Sequence, residues 1–423
     1  MSNESKSNSL SDFENLESHV RFYSRSFPVV FAKAAGAILH DENGCEFIDF
    51  LSGSGVLNYG HNDPYFLDEA TQYLRSNGIV HGLDMATPAK RDFMECFDAI
   101  ILRPRGLKYK FQFPGPTGAN AVEAALKLVR KATGRHGIIA FTNGFHGMSL
   151  GALAVTGNRY YRHVAGLPPA GAVFMPYDRY WGADKDTSEY LAKVLADASS
   201  GVDLPAAIIL ETVQAEGGIN PARKEWLQSI ERICRSHGIL LIVDDIQAGC
   251  GRAGNFFSFE FAGLSPDVVL LSKSLSGCGL PLSLLLLKPE LDVWRPGEHS
   301  GTFRGNNLAL VTGTAALRKY WTNDALSAGV KETGRIIRER LQQITETNRR
   351  SFSVRGRGMM LGFDCGTGEL AERIVRKAFE NGLVVERCGA EDQVIKLLPP
   401  LTIDEQTLQS GLDTLHNSVH ASV

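Results

Sequence analysis

Two short apolar stretches that end near charged residues limit the folds open to this chain. Leu240 to Val243 is an aliphatic run that stops at Asp244, and Pro266 to Leu271 leads to Lys273. Such runs are typical of strands that are buried on both faces of a parallel sheet. In open α/β sheets, ligands bind at the carboxyl ends of the strands. The sequence therefore predicts that Asp244 and Lys273 lie at this edge of a central sheet.

An acid and a lysine on neighbouring strand ends suggest a cofactor with an aldehyde and a basic ring nitrogen. Pyridoxal phosphate is such a cofactor, because a lysine forms a Schiff base with its aldehyde and an acid pairs with its pyridine nitrogen. We therefore expect Lys273 to bind the aldehyde. We expect Asp244 to keep the ring nitrogen protonated.

The composition disfavours several other classes of protein. A length of 423 residues predicts two or three domains, and a net charge of -3 gives no basic surface for nucleic acid or anionic membranes. The 7 cysteines are scattered and include no C-x-x-C pair, which favours a reducing cytoplasm and predicts no metal site. No apolar run approaches a membrane span, and residues 1–12 lack the apolar core of a signal peptide.

The order of predicted elements indicates three parts. Residues 1–60 are expected to form an N-terminal segment with a small antiparallel sheet, because short apolar runs flank the turn Asp41 to Gly44. Residues 61–310 are expected to form a large cofactor-binding domain, since buried strands and helices alternate there. Residues 311–423 read as a C-terminal α+β domain.

Two further features fit a cofactor with a phosphate and a flat ring. Thr117, Gly118 and Ala119 precede a strong helix, so their backbone N–H groups can bind an anion, although a simple helix cap has the same pattern. Phe145 stands between glycines after the predicted strand 137–141. It can stack on an aromatic ring, or it can be an ordinary core residue.

Four stretches, taken together and in this order, resemble the class III aminotransferases. They are residues 211–218, 241–254, 266–273 and 301–303, and the resemblance extends from Phe27 to the end of the chain. It implies the fold type I of pyridoxal phosphate-dependent transferases. In this α/β fold a mostly parallel central sheet forms a large domain, and both termini build a smaller α+β domain.

The resemblance also implies roles for individual residues. Gly118, Ala119, Phe145, His146, Glu211, Asp244, Gln247, Lys273 and Thr302 would bind the cofactor, and Glu216, Arg304 and Lys396 would bind the substrate. Thr302 would reach the phosphate of the other subunit, which requires a homodimer or a higher homo-oligomer. In the relatives, the carboxylate that matches Glu216 acts as a gate that pairs with an arginine when no second carboxylate is bound, and Glu216 would do the same here.

Two positions depart from the pattern of the ornithine-type relatives. Met148 and Lys396 stand where those relatives carry arginine. Arginine binds a carboxylate with two parallel hydrogen bonds and lysine does not, so the two are not equivalent. We therefore expect Lys396 and Arg304 to share the neutralisation of the substrate carboxylates.

Within this family the chain resembles the members that form diaminobutyrate. The stretches that carry this resemblance are 23–31, 57–61, 81–84, 114–118, 142–147, 243–252 and 301–305. It implies a ping-pong transfer, through the Lys273 Schiff base, of an amino group from L-glutamate to L-aspartate 4-semialdehyde, giving L-2,4-diaminobutyrate and 2-oxoglutarate. The product would serve ectoine synthesis, a siderophore or a peptide antibiotic, and a potassium requirement is compatible with this group.

Three alternatives are open at this point. The first is another ω-aminotransferase, with an ornithine-, acetylornithine- or 4-aminobutyrate-like substrate and the same cofactor residues. The second is a nucleotide-binding module, which the absence of G-x-x-x-x-G-K-[ST] and of G-x-G-x-x-G after a first strand disfavours. The third is a non-catalytic protein of the same fold, which would be expected to lack Lys273 or Asp244.

Overall fold

The N-terminal part of the chain forms a small antiparallel sheet. The computed structural model describes residues 10–166, 171–347 and 352–423. The first elements are α1 (Ser11–Leu16), α2 (Tyr23–Ser26), β1 (Phe31–Ala35), β2 (Ile38–Asp41) and β3 (Glu46–Asp49). The expected small sheet is present; the apolar run that precedes the turn begins at Phe27, whereas the first strand begins at Phe31. Pro28 has no backbone N–H to donate to a strand ladder, so pairing begins beyond it.

The large domain follows, with strands and helices in alternation. Its elements are α3 (Ser52–Gly55, a single turn), α4 (Pro64–Arg75), α5 (Pro88–Phe97), β4 (Lys110–Gln112), α6 (Gly118–Thr133), β5 (Ile138–Phe141), α7 (Leu150–Ala154), α8 (Arg159–His163), β6 (Ala172–Met175), α9 (Thr187–Ala196), β7 (Ala207–Leu210), β8 (Val213–Gln214), β9 (Asn220–Pro221), α10 (Lys224–His237), β10 (Leu240–Asp244), β11 (Val268–Leu271), β12 (Leu284–Leu287) and α11 (Asn307–Tyr320).

A seven-stranded sheet in the order β4-β12-β11-β10-β7-β5-β6 is the centre of this domain. Strands β6, β5, β7, β10 and β11 pair in parallel, whereas β12 runs antiparallel to both β11 and β4. Every residue of β5, β7, β11 and β12 is buried, as expected for strands covered on both faces. The predicted mostly parallel sheet is confirmed.

The C-terminal part combines a second antiparallel sheet with helices. Its elements are α12 (Ala325–Thr347), β13 (Ser353–Arg357), β14 (Met360–Asp364), α13 (Gly368–Glu380), β15 (Leu383–Val384), β16 (Glu386–Cys388), β17 (Val394–Leu397) and α14 (Glu405–His420). Strand β15 pairs in parallel with β3, so both termini build the smaller domain. We propose domain boundaries near residues 60 and 310; residues 1–9 of the predicted N-terminal segment lie outside the described ranges. Within those ranges, no helix is long and apolar enough to cross a bilayer.

A fully buried arginine joins the three parts of the chain. Arg252 follows β10, and its Nε and Nη2 atoms donate to Oδ1 of Asn58 at 3.1 and 2.7 Å. Its Nη1 donates to the carbonyl oxygens of Met359, at 3.2 Å, and Pro399, at 2.6 Å. Burial lowers the pKa of Arg252 to about 9. The cation is thus stabilised by neutral oxygen acceptors from both ends of the chain.

We expect Arg252→Met to cost about 3–5 kcal/mol of unfolding free energy, because it leaves buried oxygens of Asn58, Met359 and Pro399 without donors. The measurement is chemical denaturation followed by circular dichroism. Arg335→Met is the matched control, since Arg335 is exposed and pairs only with Glu332 and Glu339 on its own helix. The control should change the unfolding free energy by less than about 0.5–1 kcal/mol. Equal losses in both variants would contradict this role of Arg252.

Candidate active site

Lys273 is a half-buried residue just beyond the end of β11. Its backbone has φ 51°, in the left-handed region that a residue with a side chain rarely adopts. Its Nζ donates to the backbone oxygen of Ser54 at 2.7 Å. Burial lowers the pKa of Lys273 to about 8, against the opposing charges of Glu216, Glu386 and Asp244. Near neutral pH the site therefore offers a larger fraction of uncharged amine than an exposed lysine does.

Asp244 ends the neighbouring strand β10 and is held by His146. Oδ2 of Asp244 lies 2.7 Å from Nδ1 of His146, and both residues are buried. The N–H of Ile246 donates to the other oxygen at 3.2 Å. Burial opposes protonation of His146, but the hydrogen bond and charge of Asp244 prevail and raise the pKa of His146. The pair keeps a carboxylate fixed in a dry environment, as a protonated ring nitrogen requires.

Glu211 supports the backbone of the Phe145 loop. Its Oε1 accepts from the N–H of Phe145 at 2.9 Å, and its Oε2 accepts from the N–H of Ala215 at 3.1 Å. Burial raises the pKa of Glu211 to about 7. Since both oxygens of Glu211 bind the protein's own backbone, it positions Phe145. The ring of Phe145 meets that of Tyr161 edge-on, with centroids 5.9 Å apart.

The predicted phosphate turn opens α6 and packs against the end of β10. Thr117 caps the helix through Asn120, so the N–H groups of Gly118 and Ala119 have no partner inside the helix. A Cβ atom on Gly118 would lie 2.9 Å from Cδ1 of Ile246. A Cβ atom on Gly147 would lie 2.9 Å from the Cβ of Ala119. The turn, the strand end and the Phe145 loop therefore meet at one place.

Gly118→Val should weaken cofactor binding by at least about tenfold, because the side chain displaces Ile246 beside Asp244 and obstructs the free N–H groups. The dissociation constant is measured by titrating the apoenzyme with pyridoxal phosphate. Gly329→Ala on α12 is the control, since its Cβ meets open space. The control should bind the cofactor normally and be about 0.5–1 kcal/mol more stable. Normal cofactor affinity in Gly118→Val would contradict the assignment of the phosphate turn.

The turn α3 contributes the backbone oxygen of Ser54 to the site, which the sequence analysis did not predict. Ser52, Gly53, Ser54 and Gly55 all have positive φ, from 49° to 82°. The oxygen of Ser54 accepts from Nζ of Lys273 and from Nε2 of Gln247 at 3.0 Å. Backbone in this region is strained unless its surroundings fix it, and such strain concentrates at functional sites. The pair of glycines was the signal in the sequence, where the loop reads equally well as a connector.

A buried charge cluster lies beside Lys273. Nζ of Lys396, which is fully buried, lies 2.6 Å from Oε1 of Glu216 and 2.9 Å from Oε1 of Glu386. Nε2 of Gln247 lies 3.3 Å from Oε1 of Glu216. Glu386 was not predicted from the sequence; the only signal was a glutamate in a short stretch of apolar residues. The structure thus places Lys396 and Glu216 together, and their roles in substrate binding stay predictions.

A cleft of about 920 Å³ lies beside this cluster and has Glu216 in its lining. Phe145, Tyr161, Glu216 and two arginines of α8, Arg159 and Arg162, are among its lining residues. Arg162 donates to the oxygen of Gly157 and packs on the ring of Phe174. The arginines were also missed, because nothing near them in the sequence marks a ligand site. They supply positive charge where Met148, which is exposed and outside this lining, cannot.

Thr302 and Arg304 lie apart from the cluster within one subunit. Thr302 is exposed in a single turn of 3-10 helix. Arg304 pairs with Oδ2 of Asp84 at 2.9 Å and donates to the oxygen of His299 at 2.9 Å. In the described part of the chain, no hydrogen bond or ion pair joins Arg304 to Lys396 or Glu216. The roles of Thr302 and Arg304 stay predictions, and that of Thr302 requires a second subunit.

The arrangement fits pyridoxal phosphate. It combines an amine of lowered pKa at Lys273, a buried carboxylate at Asp244 and free N–H groups at the start of α6. In addition, Oε1 of Gln247 is buried without a hydrogen-bond partner, as expected for an atom that binds a group of the cofactor or substrate. These residues come from different parts of the chain, and the sheet edge brings them together.

Residues 21–419 match the family model described as aminotransferase class-III. The chain belongs to this family. An uncharacterized aminotransferase of Sinorhizobium fredii is 88% identical over 100% of this chain and 95% of that protein. A diaminobutyrate–2-oxoglutarate transaminase of Halomonas elongata is 56% identical over 96% of this chain and 97% of that protein. The transaminase of the same name from Bordetella bronchiseptica is 56% identical over 96% of this chain and 94% of that protein.

Solved structures of aminotransferases share the fold. An aminotransferase of Bacillus anthracis has a TM-score of 0.88 at 23% identity, with 100% of each chain covered. The ornithine aminotransferase of Toxoplasma gondii, in a structure with partial occupancy of pyridoxal phosphate at the active site, has a TM-score of 0.83 at 25% identity. That match covers 97% of this chain and 94% of the other. The class III aminotransferase described here is therefore a pyridoxal phosphate-dependent transaminase of fold type I, as the sequence predicted.

Proposed function

We propose that this transaminase moves an amino group from L-glutamate to L-aspartate 4-semialdehyde, giving L-2,4-diaminobutyrate and 2-oxoglutarate by a ping-pong mechanism. The observation that carries the proposal is the 56% identity, over nearly the full length of both chains, to transaminases named for diaminobutyrate and 2-oxoglutarate. The ornithine aminotransferase shares the fold at only 25% identity.

The charges around the cleft support such a pair of substrates. Glutamate presents a lone carboxylate at the end away from its reacting amine. Diaminobutyrate reacts at its γ-amine and presents an ammonium and a carboxylate at the other end. Glu216 and the arginines of α8 line the cleft, and the buried Lys396 pairs with Glu216, so both signs of charge lie close to the cleft. A site that binds the distal ends of these two substrates in turn needs both positive and negative charge.

The residues of the site would have separate roles in this reaction. Bound pyridoxal phosphate supplies an electron sink that stabilises negative charge on the reacting carbon. Asp244, fixed by His146, would hold the ring nitrogen protonated, and Phe145 would lie against the ring. The N–H groups of Gly118 and Ala119 would bind the phosphate. The amine of Lys273, with its lowered pKa, would accept the proton from the reacting carbon of the substrate and deliver it to the carbon of the former aldehyde group.

We further propose that the enzyme works in the cytoplasm as a homodimer or higher homo-oligomer with shared active sites. The seven cysteines are all free, which agrees with a reducing compartment. Phe303 is 70% exposed beside Thr302, which suits a segment that is covered by a second subunit. Thr302 would then complete the phosphate site of that subunit.

A comparison of amino donors tests the proposed substrate. The kcat/KM with 2-oxoglutarate is measured for L-2,4-diaminobutyrate, L-ornithine, N-acetylornithine and 4-aminobutyrate. We expect diaminobutyrate to be preferred by at least about tenfold, a difference that corresponds to about 1.4 kcal/mol in the transition state. A preference for any of the other three would replace this proposal with that of a different ω-aminotransferase.

A further inference from the structure

Lys396 contacts two carboxylates that differ in exposure. Glu386 lies directly opposite Lys396 in the antiparallel pair of β16 and β17, so the strand register fixes their contact. Glu216 instead follows β8 in a loop, and its side chain is 26% exposed towards the cleft, against 4% for Glu386. A ligand that enters the cleft can therefore displace Glu216 from Lys396, whereas Glu386 stays in place.

Glu386 is held by donors on both of its oxygens. Tyr23 donates to Oε2 at 3.0 Å, and Ser54 donates to Oε1 at 3.3 Å, in addition to Lys396 at 2.9 Å. Burial raises the pKa of the Glu386 carboxyl, and the ammonium of Lys396 opposes that effect. Three donors stabilise the ionised form. With Glu216 and Glu386 ionised and Lys396 protonated, the three groups carry one net negative charge.

We propose that Glu386 determines donor specificity by keeping this buried region negative after a substrate has entered. The inference rests on the proposed function, in which the amino donors differ at their distal ends. The distal end of diaminobutyrate is zwitterionic, and the extra negative charge favours the orientation in which its ammonium, and not its carboxylate, faces the cluster. The distal carboxylate of glutamate exchanges with that of Glu216 on Lys396, and Glu386 acts on both carboxylates alike.

The charge of Glu386 therefore favours one class of ligand and is neutral towards the other. Glu386 acts through Lys396 and the local field, so it is a positioning and specificity residue. Glu386→Gln keeps the shape of the side chain and removes its charge. A purely structural role would weaken both classes of ligand equally, and this difference makes the inference testable.

The test uses the holoenzyme after its lysine Schiff base has been reduced with borohydride, so that neither of the two probes, L-homoserine and glutarate, can react with the cofactor. L-homoserine carries the amino acid end of diaminobutyrate with a hydroxyl in place of the γ-amine, and glutarate is a dicarboxylate without an amine. Dissociation constants are measured by calorimetry. We expect Glu386→Gln to raise the dissociation constant of L-homoserine by at least about tenfold and to change that of glutarate by less than about threefold. The KM of L-2,4-diaminobutyrate should rise by a similar factor, with that of glutamate nearly unchanged.

Two further variants keep the test decisive. Tyr23→Phe does not remove the carboxylate of Glu386, and it should change the dissociation constants of both probes by less than about threefold. Glu386→Asp moves the carboxylate away from the cluster and should raise only the dissociation constant of L-homoserine, by about threefold. This variant tests the inference if Glu386→Gln fails to fold. Equal weakening of both probes would overturn the inference while leaving the proposed function intact. Failure of the wild-type enzyme to use diaminobutyrate would overturn the proposed function and, with it, this inference.

Discussion

Lys273→Ala is expected to lower kcat for transamination by roughly 10⁴-fold or more, because it removes both the amine that binds the cofactor and the base that moves the proton. Lys396, the nearest buried cation of the described cluster, is held by Glu216 and Glu386 with its pKa raised well above the ordinary value. Burial opposes its protonation, but the two carboxylates prevail, so Lys396 stays charged and cannot replace Lys273.

The measurement combines steady-state rates with an absorbance spectrum. Lys273→Ala should lose the visible band of the lysine-bound cofactor together with its activity. Lys331→Ala on α12 is the control, because Lys331 is exposed and far along the chain from the strand end. That variant should keep its band and its activity within about twofold. A Lys273→Ala enzyme with a normal band and substantial activity would show that another residue binds the cofactor.

Asp244→Asn is expected to lower kcat by about 10²–10⁴-fold while the enzyme still folds. Asparagine keeps the shape of the side chain but loses the charge that holds the ring nitrogen protonated. It also leaves His146, whose Nδ1 lies 2.7 Å from Asp244, without a charged acceptor. The rate of the first half-reaction with glutamate, followed by absorbance, measures this loss directly.

Asp245→Asn is the matched control for this variant. Asp245 is buried next to Asp244, but successive residues of a strand face opposite sides. Its Oδ2 accepts from the N–H of Ser258 at 2.9 Å, and burial raises its pKa to about 7. We expect the control to keep kcat within about threefold, since the side chain does not face the ring. Similar losses in both variants would contradict the assignment of Asp244 to the ring nitrogen.

The sequence predicted the central sheet well, because its strands are continuous aliphatic runs between helices. The direction of β12 was not predictable in the same way. Its four leucines look like those of a parallel strand, and only its pairing with β11 and β4 shows that it runs antiparallel. The sequence analysis did not predict strand β4 or helix α9. Strand β4 has only three residues, too few for a recognisable pattern, and it is stabilised by its pairing with β12.

The candidate site divides in a similar way. Lys273, Asp244, Gly118 and Phe145 follow strand ends or open a helix, so local patterns place them at one edge of the sheet. Glu386 could not be found in this manner. It contacts Lys396 on the next strand and Tyr23, which is 363 residues away in the chain. A contact of that range depends on how the two ends of the chain pack against each other in the smaller domain.

One spectroscopic measurement tests the central claim most directly. The purified holoenzyme is mixed first with L-glutamate and then with L-aspartate 4-semialdehyde, and its absorbance and products are followed. We predict that glutamate removes the visible band of the cofactor and that the semialdehyde restores it, with stoichiometric L-2,4-diaminobutyrate. Loss of the band without recovery on adding the semialdehyde would contradict the proposed acceptor, and a protein that shows no visible band with pyridoxal phosphate would contradict the assignment of Lys273.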